Sequence, residues 1–118
     1  MRLRHIKNAD EDIKKSKYYI NNPESYKGSF NKLFNNKKPI HLEIGMGKGN
    51  FIIEMAKRNP DINFIGLEKF DSVLVKAVEK LESIELDNLK LIWYDAATID
   101  NLFDKEIDTL YLNFSDPW

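Results

Sequence analysis

An apolar run, Pro39-Ile40-His41-Leu42-Glu43-Ile44, passes without a break into Gly45-Met46-Gly47-Lys48-Gly49 and then into a helical pattern over residues 48–58. Few features restrict a chain more. Glycines at alternate positions let the backbone turn sharply and leave no Cβ between main chain and ligand. The helix that follows aims its first N–H groups and the positive end of its dipole at whatever lies over the turn. Strand, glycine turn and helix in that order predict a βα crossing built over a small molecule.

The remaining pattern from Ile40 onward repeats strand and helix signals, which predicts βαβ units and a parallel sheet. Strands are expected at Ile40 to Ile44, Ile62 to Leu67, Leu89 to Trp93 and Ile107 to Leu112. Helices are expected at Lys48 to Arg58, with Phe51, Ile52, Met55 and Ala56 on the buried face, and at Asp71 to Ser83, with Val73, Leu74, Ala77, Val78 and Leu81. Ala97 to Phe103 reads as a short helix or turn. The fold class is therefore α/β, a partial Rossmann-like arrangement of about four parallel strands with flanking helices.

Ligands of open parallel sheets bind beyond the carboxyl ends of the strands. Every expected strand has an acid there: Glu43, Glu68, Asp95 and, in the loop after the fourth, Asp116. Glu68 follows Gly49 at the spacing at which an acid accepts hydrogen bonds from both hydroxyls of a ribose, a feature common to nicotinamide and S-adenosylmethionine (SAM) enzymes. Asp95, one strand further, is placed to accept from an adenine amine. Glu43, beneath the loop, either holds the ammonium of a methionyl group, orients the glycine turn, or caps backbone N–H groups. A dinucleotide fingerprint requires a small residue at position 50, which is Asn50, so pyrophosphate binding is disfavoured.

Composition removes other chemistries. The 118 residues include no cysteine and only His5 and His41, which excludes disulfides and thiolate metal sites and argues against a histidine metal cluster. No apolar run reaches signal-peptide or membrane length, so a soluble cytoplasmic protein is the default expectation. Charge is uneven: residues 1–38 carry ten Lys/Arg against four Asp/Glu, and residues 39–118 eight against fifteen. This divides the chain into a basic N-terminal arm, 1–38, and an acidic nucleotide-fold domain, 39–118. Within the arm, Asp10 to Lys17 suits a short helix. Tyr18, Tyr19, Tyr26, Phe30 and Phe34 interleave with lysines, either to stack on bases and neutralise phosphates or to dock the arm on the body.

Three segments, HLEIGMGKGNFI (41–52), FIGLEKF (64–70) and LNFSDPW (112–118), together resemble the bacterial tRNA (guanine-N7)-methyltransferases. The last segment is the most specific of the three. The resemblance implies a SAM-dependent fold. It also implies cofactor contacts at Glu43, Gly45, Gly47, Gly49, Glu68, Asp95 and Asp116, with Asp116 also the candidate catalytic residue, tRNA as partner, and no metal. In that family the D-P-W loop continues into basic segments that hold the tRNA. A chain ending at Trp118 is thus expected to be the cofactor half, inactive alone, and monomeric or dimeric. The Pro-Trp of the family's N-terminal segment is replaced here by Lys7-Asn8. The implied chemistry fits the absence of a nucleophilic triad. Guanine N7 has a lone pair and no proton, so attack needs no base, and positioning alone can supply roughly 7–11 kcal/mol of the barrier. A carboxylate such as Asp116 beside a purine that becomes cationic favours the transition state. The competing readings are a nicotinamide-dependent oxidoreductase half-domain and a non-catalytic tRNA-binding module.

Overall fold

The computed structural model describes residues 8–113. Four parallel strands, β1 (Ile40–Ile44), β2 (Asn63–Glu68), β3 (Leu89–Trp93) and β4 (Thr109–Leu112), form one sheet in the order β3-β2-β1-β4. The register sets Glu43 of β1 opposite Gly66 of β2 and Tyr111 of β4. Parallel strands are covered on both faces, which is why β2 is buried along its whole length. Four short or medium helices accompany them: α1 (Ala9–Lys15), α2 (Asn31–Phe34), α3 (Asn50–Arg58) and α4 (Asp71–Leu81).

One face packs Phe64, Leu89 and Leu91 against Ile52, Ile53 and Ala56 of α3, Leu74, Val75 and Val78 of α4, and Ala9 and Ile13 of α1. The other face packs Leu42, Ile65, Leu67 and Ile92 against Ile20, Phe30, Phe34 and Leu102. Asn88, itself buried, fastens the first layer by donating its side-chain amide to the carbonyls of Ala56, Asn59 and Ile62.

The basic segment contributes to both layers. Tyr18 and Ile20 bracket Leu91 in a backbone bridge, with Leu91 N–H on Tyr18 O at 2.8 Å and Ile20 N–H on Leu91 O at 3.0 Å, so the segment extends the sheet beyond β3. Tyr18 is buried, and its hydroxyl donates to Ile84 O and accepts from Leu86 N–H. The aromatics of this stretch therefore dock it on the body: Phe30 is fully buried and lies 4.8 Å from the Phe103 ring.

Two expectations for the helices are corrected. α3 starts at Asn50, because Gly49 takes a left-handed conformation and serves as its N-cap. Its buried stripe is Ile52, Ile53 and Ala56, while Phe51 is 40 % exposed and meets the Tyr111 ring edge-on at 5.2 Å. The stretch expected as a helix or turn at 97–103 is a 3₁₀ segment, Ala96–Asn101. β4 begins two residues later than expected, after Asp108, whose carboxylate accepts from Ile40 N–H while its own N–H donates to Ile40 O.

Candidate functional site

At the carboxyl ends of β1 and β2 the glycine turn is held by a short set of backbone bonds. The N–H groups of Gly45 and Met46 both donate to Leu67 O, at 2.9 and 3.1 Å, and Gly49 N–H donates to Met46 O. The side chain of Met46 is buried beneath the turn, where it leaves no room for a Cβ on Gly66: one would lie 2.5 Å from the Met46 sulfur.

The three loop glycines serve different ends. A Cβ at Gly45 would sit 2.7 Å from the carbonyl oxygen of Asn113, so this glycine admits the end of β4. One at Gly49 would press on Ala77 and Ile53 at 3.0 and 3.1 Å, so that glycine admits α4. Gly47 has φ +60° and nothing within 4 Å of its absent Cβ. Of the three loop glycines, only Gly47 combines a left-handed backbone with open space, the arrangement a ligand pressed against main chain requires.

Glu68, at the end of β2, is buried and reaches back to the turn. Its Oε1 accepts from Gly47 N–H at 2.9 Å and its Oε2 from Phe70 N–H at 3.2 Å. An ionised carboxylate has about four acceptor positions, so two remain open. The same side chain therefore fixes the loop and presents its free lone pairs in front of it. One strand further, Asp95 is exposed and caps the 3₁₀ segment through Ala97 N–H at 3.0 Å. Tyr94 N–H bonds to Glu68 O, which keeps the ends of β2 and β3 level.

Glu43 is buried under the turn at 1 % exposure. Its Oε2 accepts from the Asn113 side-chain amide at 3.0 Å, and its Oε1 has no partner among the described residues. Burial, opposed by the Asn113 hydrogen bond and reinforced by the charge of Glu68, pushes its carboxyl up to about 7. A buried carboxylate oxygen without a donor is costly and is normally matched by some group. The acid lines a cleft of about 440 Å³ together with Phe51, Leu110, Tyr111, Leu112 and Asn113.

The structure thus brings together Glu43, Gly45, Gly47, Gly49 and Glu68 around one turn and sets Asp95 at the adjoining strand end. Asp116 lies outside the described residues. Asn113 is the site residue that the sequence did not single out: its side chain holds Glu43, and its N–H bonds to Ile44 O at 3.1 Å. Its only signal was its position between a strand and the D-P-W loop. Among the described residues no group of three or more His, Asp or Glu is placed to hold a metal, and no helix is long and apolar enough to cross a membrane.

Residues 37–118 match the model of the family described as "Putative methyltransferase". The chain is 56 % identical over 120 residues to the tRNA (guanine-N(7)-)-methyltransferase of Bacillus cytotoxicus and 50 % identical over 119 residues to that of Lachnoclostridium phytofermentans. All of this chain is matched, against 55 % and 56 % of those proteins, so it spans about half the length of these curated relatives. Among solved structures, an antibiotic-related methyltransferase superposes with a TM-score of 0.64 at 19 % identity, covering 77 % of this chain and 47 % of that one. That likeness is one of fold.

Proposed function

The chain belongs to this methyltransferase family, and from that premise we propose that residues 39–118 bind S-adenosylmethionine for methylation of guanine N7 in tRNA. The observation that carries the cofactor reading is Gly47, bare and open, with its N–H held by the carboxylate placed to take a ribose. When bound, the cofactor supplies an electrophilic methyl group on a sulfonium.

The chain's own residues orient and neutralise. Glu68 takes the ribose hydroxyls on its remaining lone pairs, and Gly47 lets the ligand approach the backbone. Glu43, with its unpartnered oxygen, answers the cationic methionyl end. Asp95 is the acceptor on the adenine side, and its existing bond to Ala97 N–H fixes its direction. Asp116, with Pro117 and Trp118, is assigned the substrate side, where a carboxylate beside the guanine stabilises the cation that methylation creates. Because N7 needs no deprotonation, the site requires no base among these residues. Basic residues of the segment 1–38 meet the tRNA backbone, and the protein works in the cytoplasm. Relatives named as tRNA (guanine-N(7)-)-methyltransferases support the substrate assignment.

The test is calorimetric titration with SAM and, separately, with NAD. SAM binds, and Glu68→Ala weakens it by about 2–3 kcal/mol through two lost charge-assisted bonds. Gly47→Val, whose Cβ meets no protein atom and whose branched side chain disfavours the φ of +60° found there, abolishes binding without unfolding the chain. Preference for NAD, or full SAM affinity in both variants, overturns the proposal. Tritiated-methyl incorporation into unmodified tRNA by the full-length protein, read by position, tests the substrate.

A further inference from the structure

Glu43 is costly as it stands. Among the described residues its buried Oε1 faces no donor and its Oε2 has one amide, and it borders an open cleft. An ionised carboxylate in that setting lacks both solvent and counter-charge, and a protonated one lacks a ligand's cation. We infer that Glu43 exchanges its proton for the positive charge of the incoming cofactor, and that Asn113 is the positioning residue that holds the carboxyl in place for the exchange.

This rests on the cofactor reading above and extends it to the protonation state of the site. In the empty site Glu43 carries a proton on a carboxyl oxygen. On binding, the O–H bond breaks, the electron pair stays on the carboxylate, and the proton leaves to solvent while the cationic methionyl end takes its place. No redox partner or other reactant is involved.

The surroundings leave Glu43 as the group that responds. From the end of β2 it faces the Glu68 charge, which disfavours a second anion. From β4 it faces Tyr111, whose hydroxyl is engaged with His41 Nδ1 at 3.1 Å, one step back on β1. α3 presents Phe51, which is uncharged, and Lys48 of the loop is exposed to solvent. A carboxyl pushed up to about 7 by burial changes charge in the range where cells operate. Asn113 favours the ionised form through its hydrogen bond and, being fixed by its own N–H to Ile44 O, does so from a defined direction.

The experiment is titration of the 118-residue chain with SAM in pairs of buffers of different ionisation enthalpy, which counts protons released per ligand bound. Close to one proton is expected at about pH 6, roughly half near pH 7 and little at about pH 8, with Kd about tenfold weaker at the acid end. Glu43→Gln, which keeps an acceptor for Asn113, releases no proton and shows a flat Kd. Asn113→Ala moves the whole profile to higher pH, an effect that a merely structural role would not produce. A ¹³C signal from the Glu43 side-chain carboxyl reports the same titration directly, with its midpoint lowered by SAM. Tight SAM binding with no proton release overturns the inference and leaves the cofactor reading intact. A profile retained in Glu43→Gln assigns the proton to another group and also overturns it. An unmoved profile in Asn113→Ala removes Asn113 from the exchange. Absence of SAM binding at every pH overturns the cofactor reading itself, and the inference with it.

Discussion

The two sides of the sheet are finished in opposite ways. Beyond β3, residues 18–20 add two backbone bonds to the edge, the Tyr18 hydroxyl ties down Ile84 and Leu86, and α1 lies on α4 with Ala9 and Ile13 fully buried. Beyond β4, Leu110 and Leu112 are 50 % and 54 % exposed, Phe51 is only half covered, and the cleft beside Glu43 is open. An edge strand with bare N–H and C=O groups invites pairing, and covering it is one remedy. The N-terminal segment covers the edge distant from Glu43, and none of the described residues covers the edge next to it. Cohesion is concentrated on the β3 side, while the cleft that Glu43 lines opens on the β4 side.

That contrast is tested first by truncating one aromatic from each side. Tyr18→Ala removes a buried ring beyond β3 whose hydroxyl holds Ile84 O and Leu86 N–H, and should cost about 3–5 kcal/mol, measured by urea denaturation. Phe51→Ala removes a ring that already meets water and should cost about 1 kcal/mol or less. Equal costs would show that the β4 side is as well consolidated as the other.

A smaller effect sharpens the contrast through pH. Glu43 titrates near 7 in the folded chain and near its ordinary 4.5 when unfolded, so between those values the native state holds the extra proton. Stability of the ligand-free chain therefore falls as pH rises through that window and is lowest above it, by about 3 kcal/mol at the limit. Glu43→Gln removes the slope, and its advantage over the parent chain appears above pH 7. Denaturation midpoints at about pH 5 and pH 8 decide this, since an unchanged slope in the variant means that burial of Glu43 is not its source.

The same two sides explain what could be read in the sequence. β1 and β3 fall at their expected residues and α4 ends two residues early, because apolar runs bounded by turn residues leave little choice. The place of Glu68 beside the glycine turn is legible from its spacing to the glycines, which topology fixes. Its bond to Gly47 is not, because that depends on how far the loop folds back over the strand end. The N-terminal segment showed its charge but hid its packing. Ala9, Ile13 and Tyr18 serve one face of the sheet and Ile20, Phe30 and Phe34 the other, so no single period runs through them. Phe51 departs from the expected stripe because helical spacing identifies a stripe without saying where its cover ends, and among the described residues no strand lies beyond β4. Asn113 and Glu43 lie far apart in sequence, and nothing local announces a hydrogen bond between them.

The smallest expected change in stability comes from the open edge itself. Leu110 and Leu112 project from β4 on the face opposite to Tyr111, about half in water, so replacing both with lysine gives up little burial and should alter stability by no more than about 0.5 kcal/mol. Association is another matter. β4 pairs with β1 on one side only, and among the described residues no strand takes its other side. A second chain can add its own β4 there, joining the two leucine pairs into one apolar surface. Lysines on an edge strand oppose this by bringing like charges together, without touching the backbone bonds that hold β4 to β1. Sedimentation velocity over a concentration series should show self-association of the parent chain that the Leu110→Lys, Leu112→Lys variant lacks, with the two giving the same urea midpoint. A parent that stays monomeric at high concentration would show that the β4 edge is less available than its exposure indicates, and the contrast between the two sides would then be one of packing alone.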